Sequence, residues 1–210
     1  MKTLLLLSSS RFLKNDLAPY LGRPLSDLRV AHVITASKNR GTGTLDYLDR
    51  TRTIFKENNC YFEDIDLDGK NKEELRDILK KFDVVFVNGG NTFYLLKSIR
   101  ESEFDKVLEE LLPQGLIYIG ASAGAYVACP TIEMALWPHQ DRYDHCGVTD
   151  FTGLNLVPFL ITAHYVPEYD DVLREKIPQA HYPTRILDNE QALLVKDDRV
   201  DFLGGEETKL

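Results

Sequence analysis

Apolar residues in the first part of the chain follow two alternating rhythms. Short strand-like runs occupy residues 3–7, 29–35, 61–65, 84–87 and 116–119. The run at 84–87, Val-Val-Phe-Val, is apolar throughout, as expected of a strand covered on both faces of a parallel sheet. Between the runs lie stretches with helical spacing. Residues 45–58 carry Leu45, Leu48, Ile54 and Phe55 at roughly helical intervals, and 72–82 places Leu75, Ile78 and Leu79 on one side. Residues 93–100 and 103–112 repeat that rhythm, while 16–20, interrupted by Pro19, predicts only a brief helix. Strands separated by helices of about 10–15 residues predict βαβ units, a mainly parallel sheet and an α/β three-layer sandwich.

After Cys129 the rhythm is lost. Residues 130–152 show no sustained period and predict a long surface excursion near the rim of the sheet. Residues 154–162 resume as a strand interrupted by Pro158, and 169–176 as a helix. Residues 185–187, 192–195 and 200–203 predict closing strands, the last two joined by a Lys-Asp-Asp-Arg hairpin turn. No internal repeat, linker or low-complexity tract divides residues 1–210, so one domain is expected.

Composition narrows the function classes. Apolar residues at 43% and charged residues at 28% are globular values, which sets aside disordered and membrane classes. A net charge of −8 argues against nucleic acid or an anionic membrane as partner, yet leaves room for a local cationic pocket. The run Leu4–Leu7 is too short for a signal sequence and meets polar Ser8, Ser9 and Ser10, so it predicts a buried first strand. Cys60, Cys129 and Cys146 are odd in number and lack metal-ligand spacing, which suits a reducing cytoplasm and no metal site. The expected partner is a small peptide, with no metal or organic cofactor; monomer and homodimer both stay open.

Candidate chemistry starts at Gly120-Ala-Ser-Ala-Gly124. This G-x-S-x-G arrangement follows the strand at 116–119 and precedes a helical segment, so Ser122 would ride a sharp strand-to-helix turn with its hydroxyl at the end of the sheet. In α/β sheets ligands gather beyond the carboxyl ends of the strands, and the Asn88-Gly-Gly-Asn-Thr92 turn falls on the same rim. A serine nucleophile needs a base, a group to hold the base, and donors for the oxyanion. His164, directly after the strand ending near 163, is the best-placed base. His32 lies mid-strand and is expected in the core, His139 and His145 lie in the excursion as lid residues, and His181 is expected at the surface. The N–H groups of Ala123 and Gly90 are the candidate oxyanion donors.

Three ordered blocks carry a resemblance. Gly89-Gly-Asn-Thr92, then Ile119-Gly-Ala-Ser-Ala-Gly-Ala125 with Ala128-Cys-Pro-Thr-Ile132, then Asn155-Leu-Val-Pro-Phe159 running to His164, resemble the peptidase E family of serine aspartyl dipeptidases, related to cyanophycinases. The resemblance implies a class I glutamine amidotransferase-like fold, of the flavodoxin or Rossmann kind. It implies Ser122 as nucleophile, His164 as general base, Gly90 and Ala123 as oxyanion donors, and Asn91 and Thr92 at the substrate.

The chain departs from the family pattern at two points. Where enterobacterial members carry the aspartate of the triad, Trp137 stands. Glu133 is the favoured replacement, with Asp141, Asp144, Asp188 and Glu190 as rivals. The family pattern also implies an arginine downstream of the histidine for the substrate carboxylate. Arg174 is the candidate here, with Arg142 as the alternative. The expected activity is hydrolysis of dipeptides with an N-terminal aspartate through an acyl-enzyme on Ser122. A cyanophycinase-like hydrolase of other aspartate-containing peptides and a catalytically incompetent binding homologue are the alternatives.

Overall fold

A computed structural model describes residues 2–38, 46–140 and 146–210. Five parallel strands form the centre of the sheet: β1 (Thr3–Leu7), β2 (Arg29–Val33), β3 (Tyr61–Ile65), β4 (Val84–Val87) and β5 (Ile117–Ala121). A short parallel pair, β6 (Leu160–Thr162) with β7 (Thr184–Ile186), forms a separate sheet. An antiparallel hairpin, β8 (Ala192–Lys196) and β9 (Arg199–Leu203), closes the main sheet on the β1 side, in the order β3-β2-β4-β5-β1-β8-β9. The expected α/β three-layer architecture is present.

The apolar runs are explained by cover on both faces. Along β1, Leu4 and Leu6 point into one cluster while Leu5 and Leu7 point into the other. Each is fully buried, and burial of a leucine side chain is worth about 1.5–3 kcal/mol relative to exposure. Helices α1 (Ala18–Leu21) and α2 (Asp46–Glu57) belong to the Leu5–Leu7 side, where Leu21, Ile54 and Phe55 pack with Phe12 and Leu13. Helices α3 (Lys72–Leu79), α4 (Thr92–Glu101), α5 (Phe104–Leu111) and α6 (Ala123–Tyr126) cover the other face. The start of α3 is a capping box: Asn71 Oδ1 accepts from the Glu74 N–H at 3.0 Å and Glu74 Oε2 accepts from the Asn71 N–H at 3.1 Å. The last helix, α7 (Asp170–Lys176), follows β6 and buries Leu173.

The second half differs from its sequence reading in two places. The strand expected over 154–162 is regular only at β6. Pro158 has no N–H to donate, and the N–H groups of Leu154, Asn155 and Leu156 are instead spent on the carbonyls of Val127, Cys129 and Ala128 at 2.7, 3.1 and 2.9 Å. Nor is the beginning of 130–152 a surface excursion. A 3-10 turn at Glu133–Leu136 follows Ile132, and Ile132, Met134, Ala135 and Trp137 are buried in the core. Asp141, Arg142, Asp144 and His145 lie outside the described residues. Among the described residues no helix is long and apolar enough to cross a membrane.

Candidate active site

Three chain segments converge at the carboxyl ends of β1, β4 and β5. Ser122 follows β5 with φ 52° and ψ −110°, a conformation that an L-residue adopts only when its surroundings impose it. Its N–H donates to the Leu7 carbonyl at 3.0 Å, which ties the elbow to β1. Close packing below the elbow explains Gly124: a Cβ there would run into the Val87 carbonyl. Ser122 is 7% exposed, and its hydroxyl faces a cavity of about 410 Å³.

His164 reaches Ser122 from β6. It too has a left-handed backbone, φ 62°, which turns the chain at the strand end and swings the ring towards the elbow. Nε2 lies 2.9 Å from Ser122 Oγ. The His164 N–H donates to Ser8 Oγ at 2.7 Å, and the buried Ser8 hydroxyl donates in turn to the Leu187 carbonyl at 3.2 Å. His164 is thereby pinned to the end of β1.

The far side of the imidazole meets an amide. Asn189 Oδ1 lies 2.6 Å from His164 Nδ1. An amide oxygen only accepts, so Nδ1 carries the proton and Nε2 presents its lone pair to the Ser122 hydroxyl. Asn189 arrives there through the β8 register. Leu7 stands opposite Ala192 in the antiparallel β1–β8 pair, and the Ser8 N–H donates to the Gln191 carbonyl at 3.2 Å, so the 187–191 turn is placed on the β1 rim. Asp188 and Glu190 are candidates from the sequence, whereas the asparagine between them is not. Its signal was its place in a turn just ahead of a strand predicted to join the same sheet.

Glu133, the expected acid, is not at His164. Its carboxylate takes the His181 N–H at 3.0 Å and faces His181 Nδ1 at 2.6 Å, at the surface. The 3-10 turn that buries Met134 and Ala135 directs Glu133 to the His181 side. Asp188 Oδ1 accepts from the Glu190 N–H at 2.8 Å within their own turn. Trp137 is buried against the His139 ring, 6.1 Å between centroids. His139 is not a lid residue but supports β6: Nε2 is 3.1 Å from Thr162 Oγ1 and 2.8 Å from Gln140 Nε2. Gln140 also donates to the Tyr126 hydroxyl at 3.0 Å, which accepts the Ala163 N–H at 3.0 Å. Burial pushes the His139 pKa down.

Of the two expected oxyanion donors, Ala123 directly follows Ser122 and Gly90 lines the same cavity. Ala123 begins α6, where no carbonyl lies one turn behind to receive its N–H. Gly90 belongs to the turn after β4, with φ +149°, and a Cβ there would collide with the Ala36 carbonyl. Gly89 lies directly under the serine: a Cβ built on it would sit 3.2 Å from Ser122 Cβ.

The cavity walls come from the β1, β4 and β5 ends and from α2. Ser9, Ser10 and Arg11 form one wall, Asp46, Tyr47 and Arg50 another, and Asn88 to Gly90 the floor beside Ser122, His164 and Asn189. The expected substrate residues fall elsewhere. Asn91 Oδ1 caps α4 by accepting the Tyr94 N–H at 2.9 Å, Thr92 is buried in the first turn of that helix, and neither lines the cavity. Arg174 is mostly exposed on α7 and pairs with Asp170 at 3.6 Å, one helical turn away. Among the described residues, the arginines that line the cavity are Arg11 and Arg50, neither of which sits in a sequence motif.

Comparison with known proteins identifies the family. The model of peptidase family S51 matches residues 4–203. An uncharacterized peptidase of Pasteurella multocida is 31% identical over 156 residues, which covers 72% of this chain and 74% of that protein. A Drosophila melanogaster protein that carries the name probable alpha-aspartyl dipeptidase is 31% identical over 150 residues, 66% of this chain and 60% of that one. Among solved structures, a peptidase E-type protein from Listeria monocytogenes EGD-e superposes with a TM-score of 0.84 at 25% identity, covering 98% of this chain and 100% of its own. The chain is a serine peptidase and belongs to peptidase family S51.

Proposed function

We propose that Ser122 is the nucleophile of this peptidase, His164 its general base and Asn189 the group that orients the base. The chain of contacts from Asn189 through His164 to Ser122, 2.6 Å and then 2.9 Å, carries this reading. Nε2 takes the hydroxyl proton as Oγ attacks the peptide carbonyl, and returns it to the leaving amine as the C–N bond breaks. Water, deprotonated by the same Nε2, then releases the acyl group from Ser122. The N–H groups of Ala123 and Gly90 receive the developing oxyanion. One such donor is typically worth about 10²–10³ in turnover.

A neutral asparagine performs one of the two tasks of a triad carboxylate. It selects the tautomer and holds the ring, but it adds no negative charge to stabilise the imidazolium. The cysteine peptidase triad of cysteine, histidine and asparagine divides the work in the same way.

The substrate is a short peptide with an N-terminal aspartate, hydrolysed in the cytoplasm. A cavity of about 410 Å³ accommodates a dipeptide rather than a folded chain. Arg11 and Arg50 supply guanidinium groups for carboxylates of the substrate, and Asp46 supplies a counter-charge for its amino group. The test is a panel of Asp-X, Glu-X, Asn-X and Ala-X dipeptides assayed with the wild type and with Ser122→Ala. Turnover of Asp-X that vanishes in the folded Ser122→Ala protein is expected. Retained activity in that variant rejects the nucleophile, and equal turnover of Ala-X rejects the aspartate preference.

A further inference from the structure

The turn that carries Gly90 is held by a buried polar chain that reaches the surface at the β3 edge of the sheet. Arg52 of α2 donates from Nε and Nη2 to Asp64 Oδ2 at 3.0 and 2.6 Å. The other oxygen, Asp64 Oδ1, lies 2.8 Å from Nδ1 of His32, a residue with no exposed surface. His32 Nε2 lies 2.9 Å from Asn88 Nδ2, and Asn88 Oδ1 accepts the Gly89 N–H at 2.8 Å. The rings of Phe55, Phe62 and Phe86 surround the imidazole at 5.6, 6.4 and 5.5 Å between centroids. The turn itself is tied at both ends by backbone bonds, Asn88 N–H to Val33 O at 3.1 Å and Asn91 N–H to Ala36 O at 2.8 Å.

The chain has a direction. A carboxylate only accepts, so His32 Nδ1 carries the proton and Nε2 is left as an acceptor. An acceptor at that point demands the NH₂ side of the Asn88 amide, which turns Oδ1 towards Gly89. Donation from Gly89 then fixes the plane of the Asn88–Gly89 peptide, the unit directly ahead of the one that carries the Gly90 N–H. A proton on Nε2 would face the Asn88 NH₂ group and turn the amide over, withdrawing the acceptor from Gly89. Burial pushes the His32 pKa down, which keeps the acceptor form populated.

We propose that Asp64 and His32 are positioning residues for the reaction at Ser122: through the Asn88 amide they hold the Asn88–Gly89 peptide, and with it the turn that presents the Gly90 N–H to the oxyanion. The inference rests on the reading of Gly90 as an oxyanion donor given above.

The test uses His32→Phe, which fills the space without an acceptor, His32→Gln, which restores an acceptor near the Nε2 position, and Asp64→Asn. The first readout is the second-order rate of Ser122 phosphonylation by a fluorophosphonate, which needs the oxyanion donors but no particular peptide. The second is kcat and KM on aspartyl p-nitroanilide, with Ser122→Ala as control and folding followed by circular dichroism. In His32→Phe both phosphonylation and kcat are expected to fall about tenfold or more, with KM within about threefold, since the loss is one misaligned donor. His32→Gln is expected to recover most of the rate. A folded His32→Phe that reacts at the wild-type rate overturns the proposal, as does a His32→Gln variant as slow as His32→Phe. Should His32→Phe not fold, Asp64→Asn carries the test, because that side chain is 30% exposed and tolerates the change. A slowing of about threefold or more, from a weakened tautomer preference, supports the relay, and a wild-type rate overturns it. Phosphonylation of Ser122 without anilide turnover rejects the aspartate preference alone and leaves the relay measured. A wild-type Ser122 that does not react rejects the nucleophile and the relay with it.

Discussion

His164 Nε2 stands 2.9 Å from Ser122 Oγ across 42 residues of sequence, and both residues hold left-handed backbones, φ 62° and φ 52°. Neither backbone would be chosen by the residue itself. The sheet ends impose both, through the Leu7 carbonyl under Ser122 and the Ser8 hydroxyl under His164. Strain of this kind costs roughly 1–3 kcal/mol per residue and persists where the surrounding structure over-determines it.

Replacing Asn189 separates tautomer selection from charge. Asn189→Ala removes the acceptor at Nδ1, and kcat is expected to fall about 10²-fold or more while KM changes little, measured by steady-state kinetics. Asn189→Asp keeps the acceptor and adds a charge that favours the imidazolium. The acid limb of its kcat profile is then expected to move to higher pH, with turnover above that limb equal to or greater than the wild type. An unmoved limb would show that the residue at 189 does not touch the base.

Glu133 and Arg174 serve as controls on the sequence-based assignment. Both face away from the cavity, Glu133 towards His181 and Arg174 towards Asp170. Exposed ion pairs are worth about 0–1 kcal/mol, so Glu133→Gln and Arg174→Ala are expected to keep kcat/KM within about twofold of the wild type. A loss of about 10²-fold in Glu133→Gln would return the acid to Glu133.

Ser8 supports His164 from below. Ser8→Ala leaves the His164 N–H without its acceptor in a buried setting. The expected loss is about 1–3 kcal/mol in urea unfolding, with kcat reduced about tenfold as the ring loses its anchor. Ser8→Thr, which keeps the hydroxyl, is expected to retain more of both than Ser8→Ala.

Stability is expected to decline on acidification from near pH 6.5. Burial lowers the folded pKa values of His32 and His139 below the ordinary value of 6.5, so between those values the unfolded chain binds protons that the folded chain refuses. Each such histidine then lowers unfolding free energy by at most about 1.4 kcal/mol per pH unit as pH falls. Asp64, bonded to His32 and Arg52, is held down at about 2 against an ordinary 3.8 and adds a loss of the same sign at lower pH. Urea unfolding of His32→Gln between pH 7 and 5 is expected to give a shallower slope than the wild type. Identical slopes would mean that His32 takes up its proton alike in both states.

Much of this molecule was readable from residue order alone. Unbroken apolar runs such as Val84–Val87 specify strands with both faces covered, because such a strand has no side left for water. Glycines flanking Ser122 specify a backbone too tight for side chains, and a histidine at a strand end specifies the rim. These signals are local: each depends on the period or bulk of neighbouring residues, and the fold class and two of the proposed catalytic residues followed from them.

The remainder depends on which distant segments share the rim. Asn189 in Asp-Asn-Glu looks like any turn residue until the pairing of Ala192 with Leu7 lays its turn against β1. Arg11 and Arg50 become cavity residues only because the segment after β1 and helix α2 flank the same opening. Glu133 lies 11 residues beyond Ser122 in sequence, yet a 3-10 turn packed through Met134 and Ala135 sends its carboxylate to the surface at His181. Residue order determined the strands, the tight turn at Ser122 and the strand-end place of His164, because those rest on short-range periodicity and backbone sterics. Tertiary structure alone decided the third partner and the charged walls of the cavity, because strand register and close packing, not sequence proximity, determine which side chains meet.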